Sequence, residues 1–132
     1  MDKYRKVMIV EDDPLLSIVE GKLVEQIGFR VAGKAKSGEE ALDRFYDISP
    51  SIILMDVQLS GAINGLEAIK NLRENEVTIP VIFLSGDDSE LVKKQAHELG
   101  CVDFLLKPVS KNVLSESLHK AENSVIKPQF AA

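Results

Sequence analysis

Five side chains in this sequence have the types and positions needed to handle an anion: Glu11, Asp12, Asp56, Ser85 and Lys107. Each lies at or just past the end of a short, largely apolar run. Val7-Met8-Ile9-Val10 precedes Glu11-Asp12, Ser51-Ile52-Ile53-Leu54-Met55 leads to Asp56, Pro80-Val81-Ile82-Phe83-Leu84 precedes Ser85, and Val102 to Leu106 precedes Lys107. If the ends of these runs converge, three carboxylates share one crevice and repel one another unless something positive stands between them. A hard divalent cation with oxygen ligands answers that repulsion. Magnesium suits a small set of carboxylates, a backbone carbonyl and retained waters. A metal, a Lys, a small hydroxyl and one unhindered carboxylate fit phosphoryl transfer, which asks the protein for charge neutralisation and positioning. A carboxylate can then be the nucleophile and carry the phosphoryl group as an aspartyl phosphate.

Singly, each residue has a plainer role. Asp56 alone reads as a loop carboxylate capping backbone N–H groups, Ser85 as a turn residue and Lys107 as a solvated loop lysine. Acids at 11–13 also favour the positive end of a helix begun by Pro14. Asp13 is expected to serve that purpose alone.

The elements that must position these residues are legible as an alternation. After the first strand, Leu16, Val19, Leu23 and Ile27 recur at helical spacing up to Gly28. Phe29 to Lys36 is a weaker strand expected near a sheet edge. Ser37-Gly38-Glu39-Glu40 has the form of a capping box, with Glu40 reaching back, ahead of a helix burying Ala41, Leu42, Phe45 and Ile48. A third helix starts near Asn64-Gly65 and uses Leu66, Ile69 and Leu72. The fourth places Leu91, Val92, Ala96 and Leu99 inward and ends at Gly100. Ser110 caps a fifth helix carrying Val113, Leu114, Leu118, Ala121 and Val125. Five strands alternating with five helices call for a parallel sheet covered on both faces, because each right-handed crossover must hold a helix. In the doubly wound order 2-1-3-4-5, the crevice lies between the ends of strands 1 and 3. Those ends carry Glu11-Asp12 and Asp56.

Composition bounds the rest. A chain of 132 residues fits one domain; a single unit over 1–126 is expected, with a tail over 127–132 and no output domain. The net charge of −5 includes no basic block, so direct nucleic-acid binding is not indicated. The single Cys101 excludes an intramolecular disulfide and points to a reducing cytoplasm. It is expected to be buried and inert, and His97 and His119 to be surface residues. No apolar run approaches the roughly 18 residues of a membrane span.

The acidic pair after strand 1, Asp after strand 3, Ser after strand 4 and Lys-Pro after strand 5 together resemble the receiver domain of two-component response regulators, over about residues 6–125. The resemblance implies a flavodoxin-like (βα)5 fold and a phosphoacceptor, not a turnover enzyme. Asp56 would receive a phosphoryl group from a sensor histidine kinase or a phosphotransfer protein. Glu11 and Asp12 match the acidic pair, with Asp12 the direct Mg²⁺ ligand, and Asp56 and the backbone carbonyl of Gln58 complete the protein ligands. Lys107 would pair with the phosphoryl oxygens, Ser85 would move to hydrogen-bond them, and Phe104 matches an aromatic switch residue that is otherwise plain core. The Lys107-Pro108 bond would be cis. The switched surface would be the fourth helix, fifth strand and fifth helix, read by a downstream protein or by a second copy on phosphorylation.

The sequence leaves the family pattern in the loop after Asp56, which has Ser60 in place of Pro and one more residue before Gly65. Glu11 lengthens one acidic arm by a methylene, and Phe104 lacks a phenol hydroxyl. Two rival readings share these residues. An aspartate-nucleophile phosphohydrolase needs an acid/base two residues after its nucleophile, where this chain has Gln58. A phosphorylation-independent binding module would have no need of the intact acid set.

Overall fold

The computed structural model describes residues 4–126, with the backbone alone at 125 and 126. The side chain of Val125 and the tail expected over 127–132 therefore lie outside the described residues. The elements alternate as β1 (Lys6–Val10), α1 (Pro14–Ile27), β2 (Arg30–Ala35), α2 (Gly38–Ile48), β3 (Ile52–Asp56), α3 (Gly65–Glu74), β4 (Val81–Ser85), α4 (Glu90–Glu98), β5 (Asp103–Leu106) and α5 (Lys111–Ile126). All four strand pairings are parallel, in the order β2-β1-β3-β4-β5. This is the flavodoxin-like (βα)5 arrangement expected from the alternation. No helix among the described residues is long and apolar enough to cross a membrane.

Because side chains alternate along a strand, the continuous apolar runs feed two cores. Met8, Val10, Ile53, Met55, Val81 and Phe83 face α2, α3 and α4. Val7, Ile9, Ile52, Leu54, Ile82 and Leu84 face α1 and α5, meeting Val24, Leu114, Leu118 and Ala121. Burying each such aliphatic side chain contributes roughly 1.5–3 kcal/mol, which is why β1, β3 and β4 occupy the centre. The more polar β2 and the four-residue β5 take the edges.

Several expectations about the helices are corrected. On α1 the buried residues are Glu20, Gly21 and Val24, while Val19 is exposed and Leu16, Leu23 and Ile27 are half-buried. The helix is rotated so that a carboxylate lies on its inner face. Leu91 on α4 and Val113 on α5 are exposed, each being the outward member of an adjacent apolar pair. Cys101 is half-buried, with burial pushing its thiol above the ordinary range. Ser37 does cap α2, accepting from the Glu40 amide at 3.0 Å, but Glu40 accepts from Lys36 N, one residue before the cap. The full reciprocal box belongs to α3, between Asn64 and Glu67. Asp13 caps α1 as expected, accepting from Leu15 N and Leu16 N, and His97 and His119 are exposed.

One glycine fixes how the third crossover meets the sheet. A Cβ on Gly65 would lie 2.1 Å from the backbone carbonyl oxygen of Asp56, and Gly65 N donates to Val57 O at 2.9 Å. The start of α3 is thus pressed directly onto the end of β3. Helix propensity alone favours Ala over Gly by up to about 1 kcal/mol, but overpacking here reverses the sign. Gly65→Ala lowers the unfolding free energy by about 3 kcal/mol in urea denaturation. A variant as stable as the parent contradicts this close approach.

Candidate functional site

The carboxyl ends of β1, β3 and β5 deliver Glu11, Asp56 and Lys107 to one buried point. Glu11 and Asp56 are almost completely buried. The Lys107 ammonium stands 3.2 Å from Glu11 Oε1 and 3.1 Å from Asp56 Oδ2. Asp12, half-exposed beside them, completes a group in which one carboxylate oxygen from each of the three acids lies within 4.8 Å of the other two. The topological argument from strand order therefore brings the three acids together.

Local backbone donors hold two of the four oxygens on Glu11 and Asp56. Glu11 Oε2 accepts from Asp13 N at 3.2 Å, and Asp56 Oδ1 accepts from Gln58 N at 3.2 Å. Asp12 Oδ2 accepts from Ser60 N at 3.1 Å, tying the β3–α3 loop back to β1. Asp56 Oδ2 differs from its neighbours. Lys107 is near enough for an ion pair, but its approach does not align a hydrogen bond, so Oδ2 is a buried acceptor without one among the described residues. Such an atom carries a substantial desolvation penalty unless a cation or donor reaches it. Three converging oxygen ligands and one orphaned acceptor fit a small hard cation.

Electrostatics match this geometry. Burial, followed by the close approach and charge of Glu11, raises the Asp56 carboxyl from 3.8 to about 7, with Lys107 pulling it back only part of the way. For Lys107 itself, burial depresses the pKa. Its contacts with Asp56 and Glu11 outweigh that and leave it raised.

Ser85 lies fully buried at the end of β4, as its position after the apolar run requires. Its hydroxyl is 3.0 Å from Gln58 Oε1 and 2.9 Å from Asp87 O. One proton serves either acceptor at a time, while Asp87 N donates to Oγ. Ser85 thus belongs to the same rim, with its hydroxyl engaged by the Gln58 side chain. Phe104 is half-buried on β5 and packs against the core beneath α2, α3 and α4. The Lys107-Pro108 peptide is cis. A hollow of about 760 Å³, lined by Pro50, Ser51, Pro80 and Cys101 among others, lies at the opposite ends of the strands and away from the acids.

Two participants escaped the sequence reading. Glu20, buried on α1, is raised from 4.5 to about 9, first by burial and then by its hydrogen bond and charge interaction with Glu11. The available signal was its register: it sits four residues after Leu16 and four before Val24 on the inward face. The contact of the Gln58 side chain with the Ser85 hydroxyl and Gly86 N was the other, since it joins two loops that are distant in the sequence.

Residues 7–119 match the family model described as the response regulator receiver domain. The chain is 28% identical over 116 residues to the chemotaxis protein CheY of Thermotoga maritima, covering 88% of this chain and 96% of that protein. It is 39% identical over 116 residues to the protein-glutamate methylesterase/protein-glutamine glutaminase of Treponema pallidum, covering 86% of this chain but 28% of that one. The chain therefore spans under a third of that longer relative. Among solved structures, the signal receiver domain of a modulated diguanylate cyclase from Desulfovibrio desulfuricans superposes with a TM-score of 0.82 at 30% identity, covering 90% of this chain and 94% of that one.

Asp56 and Glu20 both hold their protons more tightly folded than unfolded. Their contribution to stability is complete below the ordinary carboxylate range and is lost as pH rises through about 7 for Asp56 and about 9 for Glu20. In urea denaturation of the metal-free protein, the unfolding free energy falls between about pH 5 and about pH 8. Asp56→Asn removes part of that fall. A wild-type profile that rises over this interval contradicts the assignment.

Proposed function

Because the chain belongs to the response regulator receiver domain family of two-component systems, we propose that Asp56 is its phosphoacceptor, charged by a sensor histidine kinase or a phosphotransfer protein. The observation that carries this reading is Asp56 Oδ2, a buried acceptor without a hydrogen bond, 3.1 Å from Lys107 Nζ and within the acid cluster.

Glu11, Asp12 and Asp56, with the backbone carbonyl of Gln58, would hold Mg²⁺, Asp12 being the more accessible of the acidic pair. When bound, the metal neutralises the clustered carboxylates and draws charge from the phosphoryl oxygens. The transfer itself is an in-line exchange. A carboxylate oxygen of Asp56 forms the new P–O bond as the P–N bond to the donor imidazole breaks, and the electron pair of that bond leaves on the imidazole nitrogen. Lys107 starts against Asp56 and Glu11, and its charge passes to the phosphoryl oxygens as they arrive. The Ser85 hydroxyl must release Gln58 and Asp87 before it can donate to the same group.

A phosphoaspartate replaces one carboxylate by a group of higher charge with several strong acceptors. Drawing Ser85 toward it loosens the β4–α4 loop, and Phe104, on the neighbouring strand, repacks against the space. The face of α4, β5 and α5 then changes for a downstream protein partner or a phosphorylation-dependent second copy. A two-state surface biased by one local charge is sufficient. On this reading the chain assists its own phosphorylation and dephosphorylation in the cytoplasm and contacts neither nucleic acid nor membrane directly.

Intact mass measurement after incubation with a small phosphodonor and Mg²⁺ tests this. The wild type gains one phosphoryl group, and Asp56→Asn gains none. Lys107→Ala slows the gain roughly tenfold, equivalent to about 1.4 kcal/mol of charge stabilisation. Equal modification of Asp56→Asn, or no modification of the wild type, overturns the assignment.

A further inference from the structure

The β3–α3 loop, residues 57–64, is tied to β1, β4 and α2 through side-chain contacts. Ser60 N donates to Asp12 Oδ2 at 3.1 Å. The Gln58 side chain takes the Ser85 hydroxyl at 3.0 Å and Gly86 N at 3.2 Å. Ala62 N donates to Glu39 Oε2 at 2.9 Å. The first two tethers end on residues of the proposed phosphorylation site or its rim. The third ends on the first turn of α2, outside that machinery.

This third tether is a fitted seat. Gly61 adopts φ +106°, and a Cβ there would stand 3.0 Å from both carboxylate oxygens of Glu39. The left-handed backbone thus brings the chain against the carboxylate and turns the Ala62 amide toward it. Next to it, the Ile63 side chain rests on Gly38, where a Cβ would come within 2.7 Å of Ile63 Cγ1, and Ile63 packs on into the core. Consecutive residues of α2, Gly38 and Glu39, therefore receive consecutive residues of the loop. Glu39 is also held anionic, because the Ala62 amide, then its own, then that of Ile63 donate to it and depress its pKa despite slight desolvation.

We propose that Glu39 is a positioning residue: its carboxylate latches the β3–α3 loop to α2 and so fixes the Gln58–Ser60 segment beside Asp56. The latch rests on Asp56 being the phosphoacceptor only for its consequence in phosphoryl transfer. Its mechanical part, an ordered loop beside the acid cluster, stands apart from that role. With the latch intact, the Gln58 carbonyl and the Ser60 amide keep their places beside the acids. Without it, the loop is free to lift from α2, and both the cation ligands and the shielding of Asp56 suffer.

Hydrogen exchange of the full chain, a Mg²⁺ titration and the lifetime of the phosphorylated form test this with Glu39→Ala and Glu39→Gln. In Glu39→Ala the amides of residues 58–63 exchange about fivefold faster, as expected on losing one charged hydrogen bond, while those of β3 and α3 do not change. Mg²⁺ affinity falls by a similar factor of about five, and the phosphoryl group is lost sooner. Glu39→Gln keeps an acceptor oxygen and recovers most of both properties. Unchanged loop exchange in Glu39→Ala overturns the latch. So does a loosened loop with unaltered Mg²⁺ affinity, which leaves Glu39 as a surface contact only. If the wild type binds Mg²⁺ but accepts no phosphoryl group, the assignment of Asp56 fails, and the exchange and titration arms still judge the latch.

Discussion

Burying like charges together is the constraint on which this molecule turns. Glu11 and Asp56 are almost wholly removed from water, Asp12 lies at their edge, and the ammonium placed against the buried pair is that of Lys107. One ammonium does not offset that burial, and Asp56, desolvated first and then set against Glu11, holds its proton well above the usual carboxylate range. Glu20 adds a fourth acid from beneath. A protein selected for stability alone would replace these residues with apolar ones. Their retention at a single point means that the fold stores an unmet demand for positive charge there.

The parallel sheet concentrates that demand. Every strand runs the same way, so every carboxyl end opens on one rim, and the reversal between β1 and β3 leaves a crevice between them. Apolar runs buried on both faces carry each polar residue to its place with no freedom of register. A slip by one residue would exchange the two cores. The precision of the site comes from the hydrophobic strands behind it, and its chemistry from the residue at which each strand stops.

The alternation of runs and helical periods was enough to read a parallel sheet covered on both faces, and the doubly wound strand order then placed Glu11, Asp12 and Asp56 at one crevice. Other features were not legible, each for a physical reason. The rotation of α1 was obscured because Leu15, Leu16, Ile18, Val19, Leu23 and Val24 offer apolar residues on more than one face, and apolar pattern counts for nothing a buried Glu20 held by Glu11. The partner of Glu40 was misplaced by one residue because a glutamate side chain spans either of two adjacent amides, and spacing cannot choose between them. The course of the loop after Asp56 was invisible because Asp12, Glu39 and Ser85 hold it from three distant parts of the sequence, and no local pattern encodes such contacts.

The contact between Gly65 and the Asp56 carbonyl bears on where motion can occur. Asp56 is the last residue of a central strand, paired to β4 on one side, with the first residue of α3 pressed on its carbonyl. Its peptide unit is a fixed mount with no room for recoil. A charge added to the side chain cannot be absorbed by retreat of the strand that carries it, as a hinge or a piston would allow. The displacement has to be taken up by what faces the carboxylate across the rim, the β4–α4 turn with Ser85 and the β5–α5 turn with Lys107. The crowded mount of Asp56 therefore assigns movement to the rim around it, in the way that a nailed end of a string decides which end swings.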